Sequence, residues 1–135
     1  MHPLHALLLL SMVLMAACGE EEAEGTPCTP VDEAPTCAPL YDPTWENVYT
    51  RTIEPKCAGQ SACHGPNADT SVEMTDEAAT HALMLQRYVT PGDTTCSPLM
   101  QRLRGDGAPL MPPGVGLFDA ELCALERWVH AGAPR

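Results

Sequence analysis

One short stretch of the 135-residue chain restricts its possible structures more than any other. It reads C-A-G-Q-S-A-C-H-G and covers residues 57–65. Two cysteines stand in it, a histidine follows the second at once, and glycines occupy positions 59 and 65. Glycine tolerates backbone angles that other residues avoid, so the chain can turn tightly here. The stretch therefore predicts a tight turn that carries two thiols and an imidazole.

Two cysteines followed directly by a histidine are typical of the attachment site of a c-type haem. Each thiol adds to a haem vinyl group, and the imidazole becomes the proximal ligand of the iron. The usual gap between the cysteines is two residues, whereas five residues, Ala58–Ala62, separate Cys57 from Cys63. The longer gap displaces one thiol from its vinyl group unless residues 59–61 bulge outward. Three arrangements therefore stay open: attachment through both thiols, attachment through Cys63 alone, or a Cys57–Cys63 disulfide without haem.

The charge of the chain excludes one class of partner. Its formal net charge is −11, from 18 Asp and Glu against 7 Lys and Arg. Binding to nucleic acid through phosphate contacts needs Lys and Arg, so we expect no nucleic-acid partner. An acidic surface keeps a protein soluble, and it can also guide docking to a basic redox partner protein.

Few large side chains are available to build a core. The whole chain has two Trp, three Tyr and one Phe. A small domain of this composition buries too little apolar surface to offset its conformational entropy, so we expect disulfides or a cofactor to stabilise it. Seven cysteines in a chain of this length indicate an oxidising compartment.

Residues 1–17 are predicted to be an export signal. They contain apolar runs at residues 7–10 and 12–15 that are too short to span a bilayer comfortably. The following L-M-A-A-C ends at Cys18 and resembles the lipobox of bacterial lipoproteins, in which the cysteine is acylated and becomes the new N-terminus. An acyl anchor holds a domain at a membrane without a spanning helix. We therefore predict an exported, membrane-anchored lipoprotein facing the periplasm or cell surface, with an ordinary signal peptide cut nearby as the alternative.

Residues 18–40 are predicted to be a linker. The tract begins with acidic residues, has no apolar period and contains four prolines, which oppose regular structure. Cys28 and Cys37 both lie in it. We predict that they form a small disulfide loop that stiffens the linker.

Residues 41–135 are predicted to be an all-α domain of about four helices with long connections. Helical apolar periodicity recurs and strand-like alternation does not. The predicted N-caps are Asp42, Thr75, Ser97 and Asp119. Pro55 is expected to end the first helix, and Trp45 and Tyr49 are expected in the core. His81 is expected to be structural or exposed rather than a ligand.

Three blocks of this domain resemble a class I cytochrome c domain of bacterial exported lipoproteins. They are residues 49–65, the V-T-P-G-D and S-P-L of residues 89–99, and the M-P-P at 111–113 with a closing helix and W-V-H-A-G-A-P. The resemblance covers residues 41–135 and implies a small cytochrome c-like fold with haem c as cofactor. It also implies that His64 and Met111 are the two iron ligands. With both positions filled, the expected function is electron transfer.

The cysteine count fits both a haem-bound and a haem-free protein. Without the lipidated Cys18, six cysteines remain. With haem, Cys28, Cys37, Cys96 and Cys123 supply two disulfides; without it, three disulfides form. The fold implied by the resemblance brings Cys96 close to Cys123, so we predict that pair in both cases.

Two functions from different classes follow. The first is an electron-transfer haem protein tethered in the cell envelope. The second is a haem-free, disulfide-stapled domain that acts as an envelope binding or structural module. A zinc site from Cys57, Cys63 and His64 is a third alternative, for which no fourth ligand is evident. No nucleophile–base arrangement indicates hydrolysis, so we expect no enzymatic activity.

Overall fold

The structure is a computed structural model that describes residues 27–59, 63–67, 70 and 72–135. Within these residues it contains four α-helices and no strand: α1 (Trp45–Val48), α2 (Glu77–Leu83), α3 (Pro98–Arg104) and α4 (Asp119–His130). α1 and α2 continue without a break as π-helical segments, Tyr49–Ala58 and Met84–Tyr88. The predicted all-α class with about four helices and long connections is therefore confirmed.

The predicted export signal and the lipidation site Cys18 lie outside the described residues. Among the helices that the structure describes, none combines the length and the apolar character needed to cross a membrane.

The first helix begins later and ends later than its sequence pattern predicts. Thr44, not Asp42, is the N-cap, and its hydroxyl accepts the Asn47 amide at 3.3 Å. The helix then runs through Pro55 to Ala58, although we expected the proline to end it. In an α-helix a proline ring clashes with the carbonyl four residues back. A π-helical turn is wider and bonds one residue further along, so the ring is accommodated.

The other predicted caps are displaced by one residue or act differently. Asp76 replaces Thr75 as the cap of α2 and accepts an amide of the first turn at 2.7 Å. Asp119 is the first residue of α4 rather than its cap. Ser97 does precede α3, but its hydroxyl donates to the carbonyl of Asp93 at 2.6 Å and caps no helical amide.

An aromatic cluster joins α1 to α4. The ring centroids of Trp45 and Trp128 are 5.2 Å apart, and those of Trp45 and Tyr49 are 5.7 Å apart. All three side chains are buried, which confirms the predicted core positions of Trp45 and Tyr49. His81 packs edge-on against Trp45, and its Nε2 pairs with the carbonyl of Ala133 at 3.1 Å. His81 is therefore a structural residue, as predicted.

All four cysteines predicted to form disulfides do so, but the predicted pairing is wrong. Cys28 is bonded to Cys96, and Cys37 is bonded to Cys123. The tract that holds Cys28 and Cys37 is therefore stapled to the helical domain, where we expected a self-contained loop. The Leu40 amide reinforces this attachment by donating to the α4 carbonyl of Ala120 at 2.8 Å.

The turn that precedes α3 is joined to α4 by the Arg104 side chain and not by a disulfide. Arg104 donates to the carbonyl of Thr94 at 2.6 Å and to the carboxylate of Glu126 at 2.5 Å. The turn and α4 are thus neighbours, as the predicted Cys96–Cys123 pair requires, but each cysteine is bonded to the crossing tract.

The observed pairing restricts the unfolded chain more than a local loop does. The bonds join cysteines 68 and 86 residues apart. In the chain-entropy model each is worth about 4.5 kcal/mol, against roughly 2.5 kcal/mol for a loop between Cys28 and Cys37. Disulfides persist in oxidising compartments, so the protein is extracytoplasmic.

Candidate functional site

A cavity of about 420 Å³ lies between the two π-helical segments, α3 and the loop that follows α3. Its size is within the usual range of small-molecule and cofactor sites. Most of its wall is apolar and includes Ile53, Val72, Met74, Met84, Leu103 and Leu125. The cavity therefore suits a large apolar ligand.

The four residues predicted to bind haem all line this one cavity. Cys57 is the next-to-last residue of the first π-helical segment, Cys63 and His64 are the second half of the motif, and Met111 lies in the loop after α3. Met111 is 54 positions beyond Cys57 in the chain. The tertiary structure therefore brings Met111 to the motif, with which the sequence associated it only through the resemblance to a family.

The five-residue gap does not separate the first cysteine from the histidine. The His64 amide donates to the carbonyl of Cys57 at 2.9 Å. In an α-helix an amide bonds to the carbonyl four residues back, which is the separation of histidine from the first cysteine when the gap is two. Here the separation is seven residues, and a backbone bond is still made. The three additional residues of the motif therefore do not separate these two backbone groups.

The imidazole of His64 is oriented by the segment beside it. Its Nδ1 lies 2.9 Å from the carbonyl of Val72 and donates to it in the Nδ1–H tautomer. The His64 carbonyl in turn accepts the Met74 amide at 2.9 Å. Metal-binding histidines usually donate their second ring nitrogen in this way, which fixes the tautomer and leaves the other nitrogen free to coordinate. Nε2 of His64 is thus the ring nitrogen available to a ligand in the cavity.

The two motif thiols are free and differ in environment. Cys63 is exposed, whereas Cys57 is partly buried. Burial raises the pKa of the Cys57 thiol to about 11. The Lys56 ammonium offsets this rise only in part, and the Glu121 carboxylate adds to it. Cys57 is therefore a protonated thiol at neutral pH.

An ion pair holds the helix end that carries Cys57 against α4. The Lys56 ammonium is 2.5 Å from a carboxylate oxygen of Glu121, which is only 3% exposed. The same carboxylate accepts the Phe118 amide at 3.3 Å, and the ammonium also lies 4.9 Å from the centre of the Phe118 ring. The charge of Lys56 at the cavity wall is thus already neutralised.

A backbone hydrogen bond holds Met111 in place beside the cavity. Its amide donates to the α3 carbonyl of Arg102 at 2.8 Å, and its side chain is partly buried against the core. Pro112 and Pro113 follow and also line the cavity. The thioether therefore stands on a segment with little backbone freedom.

The other two histidines of the helical domain, His81 and His130, lie elsewhere. Neither His81 nor His130 lines the cavity. His81 is committed to the aromatic cluster, and the buried Nδ1 of His130 finds no partner among the described residues. Among the residues that the structure describes, no three His, Cys, Asp or Glu side chains lie close enough together to hold a metal ion.

Two charged residues of the cavity wall were not predicted from the sequence. They are Lys56 and Arg102. Arg102 follows Leu99 by three residues and precedes Leu103 directly, so all three share one face of α3. This helical spacing could have predicted the position of Arg102, because an arginine on the apolar face of a helix lies beside the apolar residues that line the cavity.

Comparison with protein-family models, with curated proteins and with solved structures found no match to this chain. The function must therefore be inferred from the chemistry of the cavity. Its wall combines two free thiols, an oriented imidazole and a thioether with an apolar surround.

Proposed function

We propose that this protein binds a c-type haem and transfers electrons in the cell envelope. One observation carries the proposal: Cys57, Cys63, His64 and Met111 line a single apolar cavity. The motif at residues 57–65 supplied three of them, and the resemblance added Met111 from a distant part of the chain. Their convergence on one cavity is what such a function requires, and it depends on no spacing rule.

The residues present fit the group. Cys57 and Cys63 would hold the macrocycle through thioether bonds, and His64 and Met111 would coordinate the iron. The free Nε2 of His64 and the fixed backbone of Met111 match these roles. The bound group would supply one-electron redox chemistry. The protein's own contribution is to supply both iron ligands and an apolar surround.

The unusual spacing of the motif is compatible with attachment. The bond from the His64 amide to the Cys57 carbonyl keeps the backbone contact that a two-residue gap forms within one helical turn. Attachment through both thiols is therefore open, and attachment through Cys63 alone is favoured by its exposure.

The proposed setting is an exported protein anchored through an acylated Cys18. The two disulfides indicate an extracytoplasmic location, and the chain before residue 27 supplies the predicted anchor. The acidic chain would dock to a basic redox partner protein through charge complementarity.

A second candidate is a haem-free binding or structural module. It is favoured by the two long-range disulfides, which staple the domain without any cofactor. In that case Cys57 and Cys63 would form a third bridge in the oxidising compartment.

Intact mass separates the two candidates. The protein should be produced in a host with haem-attachment machinery and then denatured before measurement. We expect the parent and a His130→Gln control to retain the mass of haem, and a Cys57→Ala, Cys63→Ala double variant to lose it. A colourless parent, lighter by two hydrogens for a Cys57–Cys63 bridge, would contradict the proposal and favour the second candidate.

A further inference from the structure

Arg102 is a cation at the cavity wall with no counter-charge among the residues that the structure describes. It lies on α3 between Leu99 and Leu103, and it is partly buried. The ion pairs in the described part of the chain join Lys56 to Glu121 and Arg104 to Glu126. No ion-pair or hydrogen-bond partner for the guanidinium of Arg102 is present among those residues.

Other partly buried arginines of this chain do have partners. Arg104, two residues further along α3, binds Glu126 and the carbonyl of Thr94. Arg127 donates two hydrogen bonds to the carbonyl of Cys37. A charge partly withdrawn from water without a partner carries a cost, and this chain has 18 acidic residues from which a partner could come. The isolation of Arg102 therefore points to a partner supplied by whatever fills the cavity.

We propose that Arg102 binds a carboxylate of the cavity's occupant, namely a propionate of the haem. The inference rests on the proposed function. A guanidinium presents parallel N–H donors that match a carboxylate in a bidentate pair, whereas the apolar wall suits the macrocycle. Lys56 is the other cation of the wall and cannot take this role as readily, because Glu121 already neutralises it.

The side chain of Arg102 can be changed without removing the support of the Met111 loop. That support is the bond from the Met111 amide to the main-chain carbonyl of Arg102. A substitution at position 102 keeps this carbonyl. An effect of the substitution can therefore be assigned to the guanidinium, provided that the spectrum still shows an intact iron coordination.

The test compares three variants of the haem-loaded protein with the parent. Arg102→Gln removes the charge. Arg102→Lys keeps the charge but not the fork, that is, the parallel N–H donors of the guanidinium. Arg87→Gln removes an exposed arginine that does not line the cavity. The readouts are intact mass, the resonance Raman bending mode of the propionates, which responds to the hydrogen bonds they accept, and the midpoint potential.

We expect Arg102→Gln to retain the mass of haem, shift the propionate mode and lower the potential. Ferric haem carries one more positive charge than ferrous haem, so losing a nearby cation favours the ferric form. The expected change is about threefold in the equilibrium constant for reduction, or about 28 mV, since tenfold is about 59 mV for one electron. Arg102→Lys should restore most of the potential but not the propionate mode, and Arg87→Gln should change neither.

An unchanged propionate mode and potential in haem-loaded Arg102→Gln would overturn the role of Arg102 and leave the proposed function intact. A parent that carries no haem would overturn both. If Arg102→Gln does not accumulate, Arg102→Lys decides, because loss of the fork must still shift the propionate mode; an unchanged mode in that variant contradicts the proposal.

Discussion

The backbone amide of His64 donates to the carbonyl of Cys57 at 2.9 Å, across a separation of seven residues. The two groups would be four residues apart if the cysteine gap were two, and the same contact would then close an ordinary helical turn. The longer motif of this chain therefore retains a backbone contact that the shorter one makes by helical geometry alone.

Shortening the gap is a direct test of that relationship. Deleting residues 59–61 leaves two residues between the cysteines, so we expect haem to be attached through both thiols and in at least the parental amount. Peptide mass spectrometry counts the thioether bonds. A length-preserving Gln60→Ala, Ser61→Ala variant is the control and should behave as the parent does. Loss of haem on deletion would show that the long gap itself is needed.

The two cysteines of the motif should contribute unequally. Cys63 is exposed, whereas burial raises the pKa of the Cys57 thiol to about 11 and keeps it protonated. The thiolate is the reactive form of cysteine, so Cys57→Ala should keep haem bound through Cys63, and Cys63→Ala should lose most of it. Intact mass after denaturation measures both. Retention of haem in Cys63→Ala but not in Cys57→Ala would reverse the assignment.

Met111 should be the sixth ligand of the iron. Met111→Ala should open that position, convert the iron to high spin and allow carbon monoxide to bind the ferrous form. Absorption spectroscopy detects both changes. Met84 is a second methionine of the cavity wall, and the near-isosteric Met84→Leu should leave the spectrum unchanged. A parental spectrum in Met111→Ala would assign the ligand to another residue.

The two disulfides should be found in the pairing Cys28–Cys96 and Cys37–Cys123. Peptide mapping without reduction recovers these pairs. Replacing both cysteines of either pair with alanine should lower the free energy of unfolding by about 2–5 kcal/mol, measured in urea, because a long loop is released. A recovered Cys96–Cys123 peptide would reinstate the pairing predicted from the sequence.

Lipidation of Cys18 has its own test. The apolar run that ends in L-M-A-A-C predicts an acylated N-terminus. We expect Cys18→Ala to release the protein from the membrane fraction or to block its maturation. Equal membrane association of the variant and the parent would contradict the lipoprotein prediction.

Local sequence patterns predicted the helices well and their ends less well. Apolar periodicity located all four helices, because a helix repeats every few residues and its signal is contained in a short window. Thr44 and Asp76 nevertheless replaced the predicted caps Asp42 and Thr75. Neighbouring residues of similar capping ability differ little in energy, so packing selects between them. The passage of the first helix through Pro55 also depended on a π-helical winding that its periodicity does not show.

For the candidate site too, some features could be predicted from the sequence and others depended on the tertiary structure. The sequence by itself determined the chemistry of the site, since Cys57, Cys63 and His64 are neighbours in a short motif and Met111 stands in a distinctive M-P-P loop. Only the tertiary structure decided that they share one cavity, that Arg102 joins them at its wall, and which cysteines are bonded. Those outcomes involve groups up to 86 residues apart. Contacts at such separation depend on how the whole chain packs, and no local pattern of side chains encodes that packing.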